Sequence, residues 1–166
     1  MKREHVLTLI GEIEAELVQL DRLKNDILET DQKKRAQTGD RRIYEGYQAL
    51  QLHNFYSGCE NIFKRIAIAL NGGVPQSEDW HKRLLHIMSL EFQELRPAVI
   101  LTELYKKLDE YLRFRHVVQN VYTFELDSNK LQALIDSFVD TYNLLMNNLH
   151  DFIDFLRSLV DESQPD

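Results

Sequence analysis

The residues best suited to chemistry lie in one segment, RFRHVVQNVYTFELD, which begins at Arg113. Arg115 and Tyr122 are seven residues apart, so on a helix they project from nearly the same side, two turns from one another. Arg113, His116 and Asn120 follow the i, i+3, i+7 spacing and form a neighbouring polar face. A guanidinium can bind a phosphate through two N–H groups, and an imidazole exchanges protons near neutral pH. The segment is therefore the most informative part of the chain for chemistry, and its spacing alone does not assign a reaction.

Arg115 lies on a line of apolar residues that includes Leu104, Leu108 and Tyr111. Burying an unpaired arginine is expensive, so Arg115 should meet an acid, a phosphate or a cavity. In the structural alternatives, it pairs with a glutamate or aspartate of another helix, or it reaches solvent along its aliphatic stem. The spacing leaves these alternatives open.

The chain lacks the common catalytic and metal-binding signatures. It has no Gly-rich phosphate loop, no His-x-x-x-His or Cys-x-x-Cys, and no nucleophile elbow. The six histidines are scattered along the chain. His81 and His86, the nearest pair, would project about 140° apart around a helix, which poorly suits one metal ion. We therefore expect no metal and no cofactor.

The elements that carry these residues are helices, because apolar residues recur every three or four positions. A first helix is predicted from about Arg3 to about Thr30, with Gly39 as a stop signal and Asp40 as the N-cap of the second helix. The second helix is predicted to end at Asn71-Gly72-Gly73. The apolar stripes are Val6, Ile10, Ile13, Leu17, Leu20 and Ile27 in the first helix, and Leu52, Tyr56, Cys59, Phe63, Ile66 and Leu70 in the second.

Three further helices follow. Pro97 fits the first turn of the fourth helix, and Asp127 or Ser128 caps the fifth. Long helices joined by short turns are antiparallel neighbours. The predicted fold class is all-α: an up-and-down bundle of four long helices plus a short one, forming a single domain over residues 1–166, and stripes this long also favour a dimer. The inward residues are Trp80, Leu84, Leu85 and Met88 in the short third helix, Leu101, Leu104, Leu108, Tyr111, Arg115, Val118 and Tyr122 in the fourth, and Leu131, Ile135, Phe138, Tyr142, Leu145, Leu149, Ile153, Leu156 and Val160 in the fifth.

Composition narrows the class of protein. The net charge of -7 disfavours a general nucleic-acid-binding surface, which needs clustered lysine and arginine. Cys59 is the only cysteine, so no intramolecular disulfide can form, and a reducing compartment is the simpler interpretation. No uncharged apolar stretch approaches the roughly 20 residues of a membrane span, and acidic residues interrupt the N-terminal segment before signal-peptide length. We expect a cytoplasmic protein without membrane contact.

Three segments, YSGCENIFKRIA, WHKRLLHIM and FRHVVQNVYTFELD, together resemble the HepT-like members of the HEPN superfamily. The resemblance covers nearly the whole chain and keeps the motifs in order. It implies a helical bundle that dimerises. The best-known members are toxins of bacterial toxin–antitoxin pairs, and their partner is a small MntA-like nucleotidyltransferase.

The motif of this family is Arg, four residues, His, one residue, Tyr, at the end of a long helix. It matches Arg115 and Tyr122, whereas Asn120 occupies the histidine position. The resemblance implies a metal-independent ribonuclease mechanism in which the arginine holds the scissile phosphate and the histidine handles the proton of the 2′-hydroxyl or the leaving group. An amide exchanges no proton at physiological pH, and general acid–base catalysis is worth about 10²–10⁴-fold. We therefore expect weak or absent cleavage of RNA, with His116, on the same face as Asn120, as the candidate substitute.

The resemblance implies a second role for Tyr122. In the family's toxin–antitoxin arrangement, the nucleotidyltransferase transfers AMP to the motif tyrosine and so silences the toxin. In the structural alternative, the tyrosine packs into the apolar stripe with its hydroxyl hydrogen-bonded.

Three alternatives for the function stay open. One is a helical adaptor without a role in this chemistry, and the other two come from different functional classes. The first is a toxin–antitoxin subunit of the ribonuclease family, and the retained Arg115 and Tyr122 favour such a phosphate or nucleotide role. The second is a non-catalytic helical binding partner or substrate-binding subunit of a small nucleotidyltransferase, which Asn120 favours. We expect the first, with weak or lost activity.

Overall fold

The computed structural model describes residues 2–36, 39–120 and 125–161, and of residue 120 only the backbone. Within these ranges the chain forms no strand, and an isolated bridge joins Phe92 to Arg96. No helix in the described ranges has both the length and the apolar composition that crossing a membrane requires. The predicted all-α class is confirmed. The helices are α1 Arg3–Ala36, α2 Arg41–Leu70, α3 Trp80–Met88, α4 Thr102–Asn120, α5 Ser128–Asp136 and α6 Phe138–Asp161.

The four long helices form a closed ring of contacts. Helix α1 packs against α2 and α6, and α4 packs against the same two helices. The short α3 packs on α2 and α4, whereas α5 packs on α2 and α6. The predicted bundle is therefore confirmed, and α3 lies where it can contribute side chains to the α2–α4 junction.

The core consists largely of the predicted apolar stripes. The prediction that Leu101 faces inward is wrong, because this residue precedes α4 and is 61% exposed. Every stripe residue predicted for the first helix is buried, and so is the whole stripe from Leu131 to Val160.

Cys59 is completely buried in α2, and burial raises the pKa of its thiol. It therefore packs as a small hydrophobic residue rather than a reactive one.

Helix α1 continues beyond the predicted end near Thr30. Lys33 and Glu29 form an ion pair one helical turn apart, which supports the additional turns. Lys34 is buried and donates a hydrogen bond to the Gln132 side chain of α5. A tertiary contact thus converts part of the predicted polar turn into helix.

Both ends of α2 carry the predicted signals. Asp40 is the N-cap, and its carboxylate accepts a hydrogen bond from the backbone N–H of Arg42. At the other end, Gly72 and Gly73 have φ values of 76° and 133°, a conformation that residues with a Cβ rarely adopt. The Gly73 N–H donates to the carbonyl of Ala67. These bonds end the helix and turn the chain toward α3.

The prediction that Pro97 lies in the first turn of the fourth helix is wrong, because α4 begins at Thr102. The preceding segment wraps around Arg96, which is 3% exposed. Its guanidinium donates to the backbone carbonyls of Ile87, Leu90 and Pro97 and to one side-chain amide. Burial lowers the pKa of Arg96 to about 10. Enclosing this cation requires irregular backbone, so the helix starts later.

The predicted fifth helix is interrupted at Ser137, which separates α5 from α6. The Tyr111 hydroxyl of α4 donates to the carbonyl of Leu134 at 2.9 Å, and the Ser137 hydroxyl donates to the same oxygen at 3.3 Å. An uninterrupted helix would offer that oxygen to the N–H four residues later. The break therefore has an identifiable cause in side-chain hydrogen bonds. Asp127 caps α5, as predicted.

Gly58 of α2 faces Leu20 of α1 and leaves no space for a side chain. A Cβ at Gly58 would lie 2.6 Å from Leu20 Cδ2, whereas a Cβ at Gly46 of the same helix would meet no atom within 4 Å. Glycine to alanine in a helix gains about 0.5–1 kcal/mol from the backbone. We expect Gly46→Ala to raise the free energy of unfolding by about this amount, and Gly58→Ala to lower it by about 1–3 kcal/mol through overpacking. Chemical denaturation measures both, and equal effects would contradict the close approach of the two helices.

Candidate functional site

Arg115 lies in the buried stripe of α4 and is 4% exposed. Its Nη1 donates to Glu60 Oε1 at 3.2 Å, and its Nη2 lies 2.8 Å from His81 Nδ1. The guanidinium carbon is 5.2 Å from the centre of the Tyr56 ring, which adds a cation–π contact. The arginine is thus paired with an acid of another helix, one of the two structural alternatives left open by its spacing.

Glu60 of α2 supplies the negative charge at the centre of the site. Its side chain is 5% exposed, and its Oε2 lies 2.5 Å from His81 Nδ1. The Lys64 ammonium is 3.8 Å from Glu60 Oε1. One buried carboxylate therefore faces nitrogens from α2, α3 and α4, and each of these contacts offsets part of the cost of removing it from water.

Helix α3 positions His81 through its buried face. Residues 81, 84, 85 and 88 follow the i, i+3, i+4, i+7 spacing, and Leu84, Leu85 and Met88 are buried. The His81 ring stacks on Trp80 with centroids 3.6 Å apart. Its side chain is 23% exposed. The imidazole is therefore held from inside the protein and still reaches the surface.

His81 and His116 line one cleft of about 310 Å³ between α3 and α4, which we call the histidine cleft. The two rings are edge to face, with centroids 5.7 Å apart. Desolvation, and then the positive charge of Arg115, lower the pKa of His116, so its neutral form predominates at neutral pH. The other polar and charged lining residues are Glu78, Asp79, Lys82, Asp109 and Arg113.

In the described part of the chain, two buried nitrogens lack a hydrogen-bond partner, Nε of Arg115 itself and Nδ1 of His53. Burial, and then the charge of Arg115, lower the pKa of His53. The neutral form of His53 is therefore favoured beside the guanidinium. Buried polar groups are usually paired, so these two atoms give the inner side of the site unused hydrogen-bonding capacity.

Of the four residues that the sequence singled out, Arg115 and His116 are fully described. They are neighbours on α4, but Arg115 is buried and His116 is exposed in the cleft. Asn120 is the last residue of α4, and its side chain, like the whole of Tyr122, lies outside the described residues. Their roles therefore stay predictions. Within the described ranges, no three histidine, cysteine or acidic side chains form a group that could hold a metal ion.

Glu60 and His81 are the site residues that the sequence did not reveal. Glu60 lies four residues after Tyr56 and three before Phe63, which places it at the border of the buried stripe of α2. His81 lies three residues before the buried Leu84. A polar residue bordering an apolar stripe is a weak signal, because many exposed residues share the same spacing.

Comparison with known proteins gives a family. Residues 48–156, about two thirds of the chain, match the model of a family described as HepT-like protein. The match begins within α2 and ends within α6, so it includes every residue of the histidine cleft. No curated protein and no solved structure matches the chain significantly.

Removing one member of the Glu60–Arg115 pair should strongly destabilise the fold. Glu60→Leu would leave the guanidinium buried without its acid, and we expect the free energy of unfolding to fall by about 3–5 kcal/mol. The double variant Glu60→Leu/Arg115→Met removes both charges and should recover much of the loss. Chemical denaturation of the single and double variants measures this coupling.

An exposed ion pair provides the matched control. Arg65 Nη1 and Glu12 Oε1 are 2.7 Å apart, and both side chains are 42% exposed. Glu12→Leu should change the free energy of unfolding by less than about 1 kcal/mol. Purely additive losses at Glu60 and Arg115 would show that the buried pair is not coupled.

Proposed function

The chain belongs to the HepT-like family, and on this premise we propose that it is the HepT-like subunit of a toxin–antitoxin pair, of the metal-independent ribonuclease type, with weak or lost cleavage of RNA. The observation that supports this proposal is the pairing of His81 and His116 at the histidine cleft, with the buried Arg115 in contact with His81. Phosphate binding needs a cation, and cleavage next to a ribose hydroxyl needs proton carriers near neutral pH.

The same cleft explains why activity would be weak. Glu60 neutralises the charge of Arg115. Among the cleft residues, Glu78 and Asp79 repel phosphate, and Arg113 is already paired with Asp109 at 2.6 Å. Asn120 in the motif position removes one proton carrier from this end of α4. Both binding of RNA and proton transfer are therefore reduced.

A second candidate is a non-catalytic binding partner or substrate-binding subunit of a small nucleotidyltransferase. The Arg115 contacts favour it, because both Nη atoms are already engaged by Glu60 and His81. A phosphate could reach this guanidinium only by displacing a buried carboxylate or an imidazole. In this alternative, the helical bundle binds the nucleotidyltransferase or its substrate and catalyses no reaction itself.

We expect the protein to copurify with the MntA-like nucleotidyltransferase and to accept AMP from ATP on Tyr122. Incubation of the two proteins with ATP should increase the intact mass of this chain by AMP groups, and Tyr122→Phe should prevent the increase. Tyr47→Phe is the control, because Tyr47 is 46% exposed on another helix. No adduct, or an adduct retained by Tyr122→Phe, defeats the prediction.

We expect slow cleavage of RNA by the purified chain in the presence of a chelator, and loss of this cleavage in His116→Ala with the helical circular dichroism unchanged. His150→Ala, at an exposed position of α6, should behave as the parent does. Equal cleavage by His116→Ala and the parent would discard the role of His116. Intact RNA with every protein, together with copurification, would support the non-catalytic candidate.

A further inference from the structure

We propose that His81, held through Nδ1 by Glu60 and Arg115, is a catalytic proton-transfer residue of the histidine cleft and supplies the chemistry that Asn120 does not. The inference rests on the proposed function, because it assigns a residue to the same site. It differs from the sequence-based expectation, which looked for the proton carrier on α4. His81 comes from α3, 34 positions before Arg115 in the chain.

Nδ1 of His81 makes two contacts. This nitrogen is 2.5 Å from Glu60 Oε2, a hydrogen-bond acceptor, and 2.8 Å from Arg115 Nη2, a donor. A ring nitrogen carries either a proton or a lone pair, so Nδ1 serves one of these neighbours at a time. In both arrangements Nδ1 is occupied from inside the protein. Nε2 is therefore the nitrogen that can exchange a proton with a substrate.

The tautomer then decides the role of Nε2. When Nδ1 donates to Glu60 and the ring is neutral, Nε2 carries a lone pair and acts as a base. When Nδ1 accepts from Arg115, the proton lies on Nε2, which acts as a donor. A carboxylate that orients an imidazole and stabilises its charged form is the arrangement that proton-transfer catalysis requires. Glu60 is thus a positioning residue.

The surroundings of His81 fit this role better than those of the other histidines on the same helices. His81 lines the cleft and is 23% exposed, so a substrate can reach it. His86, five residues further along α3, lies at a different pocket beside Tyr105. His53 of α2 has its Nδ1 buried, and no described residue forms a hydrogen bond with it.

The reaction is a transesterification within one RNA strand. Nε2 of His81 takes the proton of a ribose 2′-hydroxyl, O2′ forms a bond to the adjacent phosphorus, and the bond from phosphorus to O5′ breaks. The leaving O5′ takes a proton from His116 when that ring is protonated. The products are a 2′,3′-cyclic phosphate and a 5′-hydroxyl end, and no oxidant, reductant or further reactant is needed. Because the lowered pKa of His116 makes its protonated form scarce, the second transfer is slow.

The test uses the full chain, a labelled single-stranded RNA and a chelator. His81→Ala and His81→Gln should lower the cleavage rate at least about 100-fold, because general acid–base catalysis is lost. Imidazole in solution should restore part of the activity of His81→Ala, where the ring has left a space, and should not restore His81→Gln. His86→Ala should cleave as the parent does. An RNA with 2′-deoxyribose throughout should remain intact.

Glu60→Gln tests the positioning role, with helical circular dichroism as the check that the variant is folded. It keeps the shape of the side chain and removes the charge that orients His81. We expect kcat to fall without a rise in KM for the RNA, because Glu60 is buried and the loss of its charge leaves Arg115 less neutralised. A rise in KM with unchanged kcat would contradict the positioning role.

Each outcome decides the inference. Rate loss in both His81 variants, with imidazole rescue of His81→Ala, supports it. Two results overturn it and leave the proposed function standing. One is parent-like cleavage by the His81 variants. The other is a folded His81→Ala that imidazole does not restore, together with an active His81→Gln. Failure of the parent to cleave RNA also overturns it, whereas copurification and AMP transfer test the toxin–antitoxin assignment separately.

Discussion

The positive charge of Arg115 on the apolar stripe of α4 is the constraint from which the site follows. Removing a guanidinium from water costs several kcal/mol unless an acid and further hydrogen bonds replace the water. Glu60 of α2 provides the acid, at 3.2 Å. The second oxygen of that carboxylate then needs a donor of its own, and His81 of α3 lies 2.5 Å from it. One buried charge thus explains why polar side chains from three helices meet here.

The two most buried arginines, Arg96 and Arg115, have different partners, which explains why Arg96 is structural and Arg115 lies at the candidate site. Arg96 is enclosed mainly by backbone carbonyls, and in the described part of the chain no carboxylate contacts it. Backbone oxygens do not titrate or rotate away, so this arrangement is fixed. Arg115 instead contacts a carboxylate and an imidazole. These partners can change protonation or orientation, which makes the surroundings of Arg115 suitable for chemistry.

Local patterns predicted the helices and their simple ends, whereas long-range contacts decided the rest. The stripe spacing, Asp40 and the glycines after α2 act within a few residues and were therefore visible in the sequence. The late start of α4 depends on the enclosure of Arg96, and the break at Ser137 depends on a hydroxyl from α4. At the site, Arg115 was conspicuous as a charge on an apolar line. Its partner Glu60 is 55 residues away, and periodicity carries no information on such pairing.

The positions of the charged side chains and histidines around the cleft affect how strongly the protein attracts RNA. The family motif places arginine and histidine on one helix, whereas the two histidines of the cleft lie on α3 and α4, and Glu60 of α2 neutralises the buried guanidinium. Attraction for a polyanion then depends on Lys82 and on Arg113, which Asp109 already engages. With a net charge of -7, the chain has little cationic surface to add. The cleft therefore attracts the phosphates of RNA only weakly, and this agrees with the weak or lost cleavage that we propose.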